Sequence, residues 1–188
     1  MAWIPTYAEA HALLSEFNTE PFHISHGETV SGVMRYFARE FDPEREEYWA
    51  VVGLLHDLDF ELHPDRHCVA IREMLAGRDF DADMLNAMVS HGYGMTAADV
   101  EPTLMMEKIL FAADELTGLI GAAAKMRPSG SVMDMELSSL RKKFKQPSFA
   151  AGCSRDAIRE GAERLGWTLD DLLERTILAM REVESNGR

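Results

Sequence analysis

The eleven residues AVVGLLHDLDF, positions 50–60, carry an apolar run into adjacent His56 and Asp57, with Asp59 two residues on. A neutral imidazole beside a carboxylate suits a divalent metal ion. The dipeptide alone decides little. With seven His and thirteen Asp in 188 residues, about half of one His-Asp pair is expected by chance, the usual risk with short motifs. What matters is which other residues can join it. His26 precedes Val30 and Val33 by four and seven positions and so shares their helix face. Asp114 lies within EKILFAADELTGLI, where a carboxylate among apolar neighbours needs a cation or several donors. Taken singly, each has an ordinary explanation: a hydrogen-bonded histidine near a helix start, a polar helix end, a salt bridge.

Together they give the order His26, His56-Asp57, Asp114 on three long amphipathic stretches. In this order and context, including LLHD and AADELT, the chain resembles the HD-domain metal-dependent phosphohydrolase superfamily over about residues 20–125. More narrowly it is similar to small bacterial HDIG-type hydrolases of unassigned substrate. The resemblance implies that His26, His56, Asp57 and Asp114 bind one divalent ion, with Mn, Ni, Co, Zn, Fe and Mg as candidates. It also implies an activated water that attacks phosphorus while Asp57 or Asp59 takes its proton. Such an ion lowers the pKa of bound water and neutralises phosphoryl charge. The family's frequent HDIGK reads HDLDF here, so its lysine contact is missing, and Asp59 stands as a general base, an acceptor behind the ligands or a solvated loop acid.

Other residues extend the list. His91, in VSHGYG at a helix end, is a candidate extra site residue, because some HD proteins use two further histidines for a second metal. His63 and His67 are four apart, but Pro64 starts the helix between them, which sets His63 outside it. His11 and His23 have no partner legible in sequence. Lys142 and Lys143, in the basic segment LRKKFKQPSF, are candidate phosphate contacts or part of a solvated face. Lys125 and Arg127, just beyond the Asp114 segment, are the alternative.

Helical signals position these residues. Thr6 with Glu9, and Ser25 with Glu28, read as capping boxes. The second puts His26 in the first turn of its helix. Asp42-Pro43 reads as an N-cap and first-turn proline before EREEYWAVVGLLHD. A helix is expected over residues 64–75, ended by Gly77. Asp81 caps ADMLNAMVSH, with Gly92 and Gly94 beyond it. Pro102 opens TLMMEKILFAADELTGLIGAAAK, closed by Pro128 and Gly130. A short helix lies in VMDMELSSLRKKF, Ser154 caps RDAIREGAERLG, and Thr168 with Asp171 caps LDDLLERTILAMREVE. No period-2 strand, repeat or low-complexity segment stands out. The expectation is one all-α domain, an HD-domain-like bundle of about eight helices. Its metal-binding core spans about 20–125 and its helical extension about 129–185, which either covers the core or makes a homodimer. The methionines, including Met105 and Met106, read as core filler.

Composition narrows the function. Hydrophobic residues make up 46% and charged residues 27% of the chain, so it folds. A net charge of −13 disfavours a nucleic-acid polymer or an anionic membrane as partner. A small phosphorylated molecule remains open, drawn by a metal or a local Lys/Arg cluster. The widely spaced Cys68 and Cys153 form no CxxC and read as reduced thiols. The start MAWIPTYAEAHALL has no secretory pattern, no apolar run is long enough to span a bilayer, and the expected location is the cytoplasm. The leading expectation is therefore a metal-dependent phosphohydrolase acting on a small phosphoester, a nucleotide among the candidates. The rivals are a di-iron oxygenase of the same superfamily and a non-catalytic, metal-containing ligand-binding module.

Overall fold

The computed structural model describes residues 2–187. They form nine α-helices and no named strand: α1 Tyr7–Phe17, α2 Pro21–Phe41, α3 Glu46–Leu55, α4 Ile71–Met74, α5 Ala82–Ser90, α6 Met105–Lys125, α7 Leu137–Phe144, α8 Arg155–Leu165 and α9 Leu169–Ser185. Several helix starts obey the capping logic. Thr6 and Glu9 make a reciprocal box, as do Thr168 and Asp171. The Asp81 side chain accepts from Met84 N and Ser154 from Ala157 N. Each satisfies an otherwise orphaned N–H of a first turn.

Three starts differ from expectation. Helix α2 begins at Pro21, so Ser25, His26 and Glu28 lie inside it and Ser25/Glu28 is no capping box. A first-turn proline is pre-organised for a helix. Glu61 also accepts from Thr19 N at 3.0 Å and Glu20 N at 3.1 Å, clamping this helix start to the loop after Asp59. Asp42 makes no cap hydrogen bond; its carboxylate accepts from Trp49 Nε1 at 3.0 Å, and a 3-10 turn, Pro43–Arg45, precedes α3. At α6 the Glu107 carboxylate reaches back to the amides of Thr103 and Leu104, at 2.8 and 2.9 Å.

The expected helix over 64–75 is broken. A 3-10 turn, Pro64–Arg66, is followed by His67 and by Cys68 with φ 69° before α4. A non-glycine residue in the left-handed region costs about 1–3 kcal/mol and marks a conformation imposed by its surroundings.

Helices α2, α3 and α6 form the centre, with α9 against α2 and α8 against α6. Close backbone approach sets the α2–α3 pair. A Cβ on Gly27 would meet Leu54 O at 2.8 Å, and one on Gly53 would meet Ser31 Cα at 3.0 Å. Trp49, Phe37, Leu54, Leu55, Leu58 and Ile109 are among the fully buried side chains. Met34, Met84, Met88, Met106 and Met135 fill the core as expected, but Met105 is 40% and Met126 68% exposed. Their helix faces point to solvent. Helices α8 and α9 pack on the bundle, Gly161 of α8 lying against Ala112 and Val183 of α9 against Gly32. Among the described residues no helix is long and apolar enough to cross a membrane.

Candidate metal centre and adjoining cavity

The helices bring His26, His56, Asp57 and Asp114 together, with one donor atom from each within 4.8 Å of the others. His26 comes from α2, His56 and Asp57 from the turn that ends α3, and Asp114 from the middle of α6. The glycine-mediated approach of α2 to α3 lets the first three residues meet. Nε2 of His26 lies 2.9 Å from Asp114 Oδ1 and 3.4 Å from Asp57 Oδ2. Nε2 of His56 lies 3.2 Å from Asp114 Oδ1 and 3.4 Å from Asp57 Oδ1.

Two more histidines join from the other side. Nε2 of His67 and Nε2 of His91 each lie 3.3 Å from Asp57 Oδ1 and 3.2 Å from one another. The Cys68 sulfur is 3.5 Å from His91 Nε2. Asp57 Oδ1 thus faces three imidazoles, yet it is buried and has no hydrogen-bond partner among the described residues.

The surrounding hydrogen bonds turn each Nε2 inward. His56 Nδ1 pairs with Gly53 O at 2.8 Å, His91 Nδ1 with Met88 O at 2.5 Å, and His67 Nδ1 with Asp59 Oδ1 at 2.8 Å. Donation at Nδ1 leaves the Nε2 lone pair for a metal and fixes the ring orientation. Asp59 is fully buried, and its other oxygen accepts from Ile71 N at 3.0 Å. Both oxygens are therefore occupied in holding His67.

The electrostatics fit a site built for cations. Burial disfavours charge on His26, but the hydrogen bond to Asp114 and the charges of Asp114 and Asp57 outweigh it and raise its pKa to about 9. Burial likewise opposes protonation of His67, while Asp57, Asp59 and Cys68 lift it to about 11. Burial works against ionising Asp57 and Asp114, and the surrounding imidazoles hold both well below the usual carboxylate range. Burial raises the Cys68 thiol, and His91 and His67 more than reverse this, bringing it to about 7. A divalent cation would substitute for protons at such a cluster.

A cavity of about 340 Å³ opens beside His26. Thr117, Gly118, Gly121 and Lys125 of α6 line one wall, and Ala150, Gly152 and Cys153 line another. At 100° per residue, Asp114, Gly118, Gly121 and Lys125 share one face of α6. A Cβ on Gly121 would meet nothing within 4 Å, so the glycine leaves free volume. Phe22, 67% exposed, stacks on His26 with ring centroids 6.2 Å apart and stands among the residues lining the cavity.

The family model of the HD domain matches residues 24–119. This chain belongs to the HD-domain family. The match takes in His26, the His56-Asp57 pair and Asp114, and HD domains form a superfamily of metal-dependent hydrolases. No curated protein and no solved structure matches the chain.

The remaining candidates sort by position. Lys125 lines the cavity. Arg127 instead binds Asp134, Nε to Oδ1 at 2.8 Å, and does not line the cavity. Lys142 and Lys143 sit on α7, also away from its lining; Lys143 Nζ stands 4.6 Å from the Phe149 ring centroid. His63 is exposed and outside the cluster. His23 pairs with Glu61 and His11 with Glu28, each at 3.0 Å. Sequence reasoning discounted His67, because the expected helix hid the break that turns its ring inward. It also read Cys68 as an ordinary thiol. The signal available was the four-residue spacing of His63 and His67, which was set aside for the pair because Pro64 separates them.

Proposed function

We propose that this HD-domain protein is a metal-dependent phosphohydrolase that cleaves a small phosphoester. Two divalent ions would share Asp57. The observation that carries the reading is the unpartnered Asp57 Oδ1, facing Nε2 of His56, His67 and His91 at 3.3–3.4 Å. His26, His56 and Asp114 would hold one ion with Asp57; His67 and His91 would hold the other. Such ions supply an activated water and neutralise phosphoryl charge.

The chain's own residues do the rest. Gly53, Met88 and Asp59 lock the histidine rings, so no reorientation is needed when substrate arrives. A carboxylate oxygen of Asp57 or Asp114 left free by the ions would take up the water proton, because the imidazoles of His56, His67 and His91 already donate at Nδ1 and would offer Nε2 to the ions. Asp59, tied to His67 and Ile71, acts as an orienting group. The cavity beside His26 receives the alcohol part of the ester, with Lys125 available to an anionic substituent at its far end. Its wall of glycine, alanine and threonine suits a compact body with few polar groups. The acidic chain needs the bound cations to draw an anionic substrate.

The test is a phosphoester screen on the metal-loaded protein with Asp57→Ala in parallel. Hydrolysis that vanishes in the variant, with unchanged circular dichroism, supports the reading. Full activity in Asp57→Ala refutes it. The His67–His91 pair also supports a second reading, oxidative cleavage at a di-iron centre. That reading requires two irons per chain and oxygen consumption, which would displace the hydrolase.

A further inference from the structure

We infer that Cys68 is a metal ligand, a thiolate that makes the second ion site a mixed N/O/S site for a borderline-soft divalent cation such as zinc or ferrous iron. The inference rests on the two-ion reading above and adds a donor that the four-residue HD motif lacks.

Donor spacing is the first argument. Two nitrogens at about 2.0–2.1 Å from a tetrahedral ion stand about 3.3 Å apart, and sulfur at about 2.3 Å stands about 3.6 Å from such a nitrogen. The observed separations are 3.2 Å for His67 Nε2–His91 Nε2 and 3.5 Å for Cys68 Sγ–His91 Nε2. Asp57 Oδ1 lies 3.3 Å from each of the two nitrogens. His67, Cys68 and His91 each offer a donor within 4.8 Å of the others.

Backbone geometry is the second argument. Cys68 holds a positive φ of 69° although it is not glycine. This break in what would be a continuous helix lets two successive side chains, His67 and Cys68, both reach His91. Gly92 makes room for the sulfur: a Cβ there would stand 2.4 Å from Cys68 Sγ. The third argument is Asp57 Oδ1, buried and without a hydrogen-bond partner among the described residues, directed at the same two histidines.

The consequence is selectivity. A mixed imidazole and carboxylate site accepts a range of divalent ions with later metals bound more tightly, and a thiolate adds a further preference for zinc and iron over hard ions such as magnesium and calcium. The first site, with no sulfur among His26, His56, Asp57 and Asp114, keeps the broader preference. The protein would hold two ions of different character.

The test loads metal-stripped protein with cobalt(II) and reads near-ultraviolet absorption, where thiolate-to-cobalt charge transfer appears. Wild type and Cys153→Ser should bind two cobalts per chain and show the band. Cys68→Ser should lose it while retaining the ion of the first site. A wild-type protein with two cobalts and no band overturns the inference, as does a band that survives in Cys68→Ser. A single cobalt without the band overturns the second site too. X-ray absorption on the zinc-loaded wild type needs no substitution, so misfolding of the variant cannot mask the result. A sulfur shell at about 2.3 Å is expected, and a purely N/O shell rejects the ligand. Phosphoester hydrolysis by the same wild-type sample separates the outcomes: turnover without a thiolate signature leaves the hydrolase standing and removes Cys68 alone.

Discussion

The orphaned oxygen of Asp57 and the committed oxygens of Asp59 show how two neighbouring acids acquire different parts. Asp57 Oδ1 has only imidazoles around it, whereas Asp59 is fixed by His67 and by Ile71 N. Asp59→Asn should therefore spare the first ion and weaken the second by about 10–100-fold, the usual cost of losing a group behind a metal ligand. Metal titration by calorimetry would check this, and equal loss at both sites would refute the division. A second prediction concerns pH. In metal-stripped protein the His26 pKa stands at about 9 and that of His67 at about 11, both above the ordinary 6.5. A raised folded-state pKa contributes stability that is complete below the unfolded value and lost as pH rises through the folded one. The melting temperature of stripped protein should therefore fall from pH 6.5 through 9 and continue falling towards 11. Metal affinity should rise over the same range, because the ion no longer competes with protons. A flat melting profile would dissociate these protons from folding.

At the scale of the element, the candidate metal ligands sit where helices end or change course. His56 follows α3, His91 follows α5, and His67 occupies the break before α4. The first two were legible because an apolar run stopping at His is visible in sequence. The third was not, since the periodicity of residues 64–75 fits a continuous helix and says nothing about a left-handed Cys68. The start of α2 was misread for a related reason. Ser25 and Glu28 have cap spacing, but Pro21 and the Glu61 clamp supply an earlier start, and the clamp is a contact across 41 residues. Long-range contacts of this kind leave no local pattern. The α2–α3 approach offers a stability test. Gly27→Ala would drive a methyl into Leu54 O and should cost about 1–3 kcal/mol, read as a lower urea midpoint. Because His26 is adjacent, metal content should fall as well. Unchanged stability would mean that the helices separate freely.

Across the whole molecule, the candidate metal centre lies within the central three-helix packing, and the later helices complete the cavity wall. Met180 and Val183 of α9 line the cavity together with Gly118 and Gly121 of α6. The all-α class was legible because apolar positions recur at helical spacing in nearly every segment. The cavity was not, since it is formed by what Gly118, Gly121 and Gly152 lack. Gly121→Phe should fill it without disturbing ligand residues. Turnover of bulky phosphoesters should then drop by about tenfold or more, while methyl phosphate and metal content change little. Equal loss for small and large esters would place substrate elsewhere.

Helix α6 carries both Asp114 and Lys125, eleven residues apart. Eleven residues advance about 16 Å and return to within about 20° of the starting azimuth. On the proposed reading the helix would act as a ruler, graduated from the candidate metal-binding end to an ammonium group. A molecule with a phosphate at one end and a second anion at the other would be gauged by length before any side chain read its shape. Deleting one residue between Gly121 and Lys125 would swing the ammonium about 100° off that line. If the proposed hydrolase gauges substrates in this way, the deletion should abolish any preference for doubly charged esters of one length while singly charged ones are still hydrolysed.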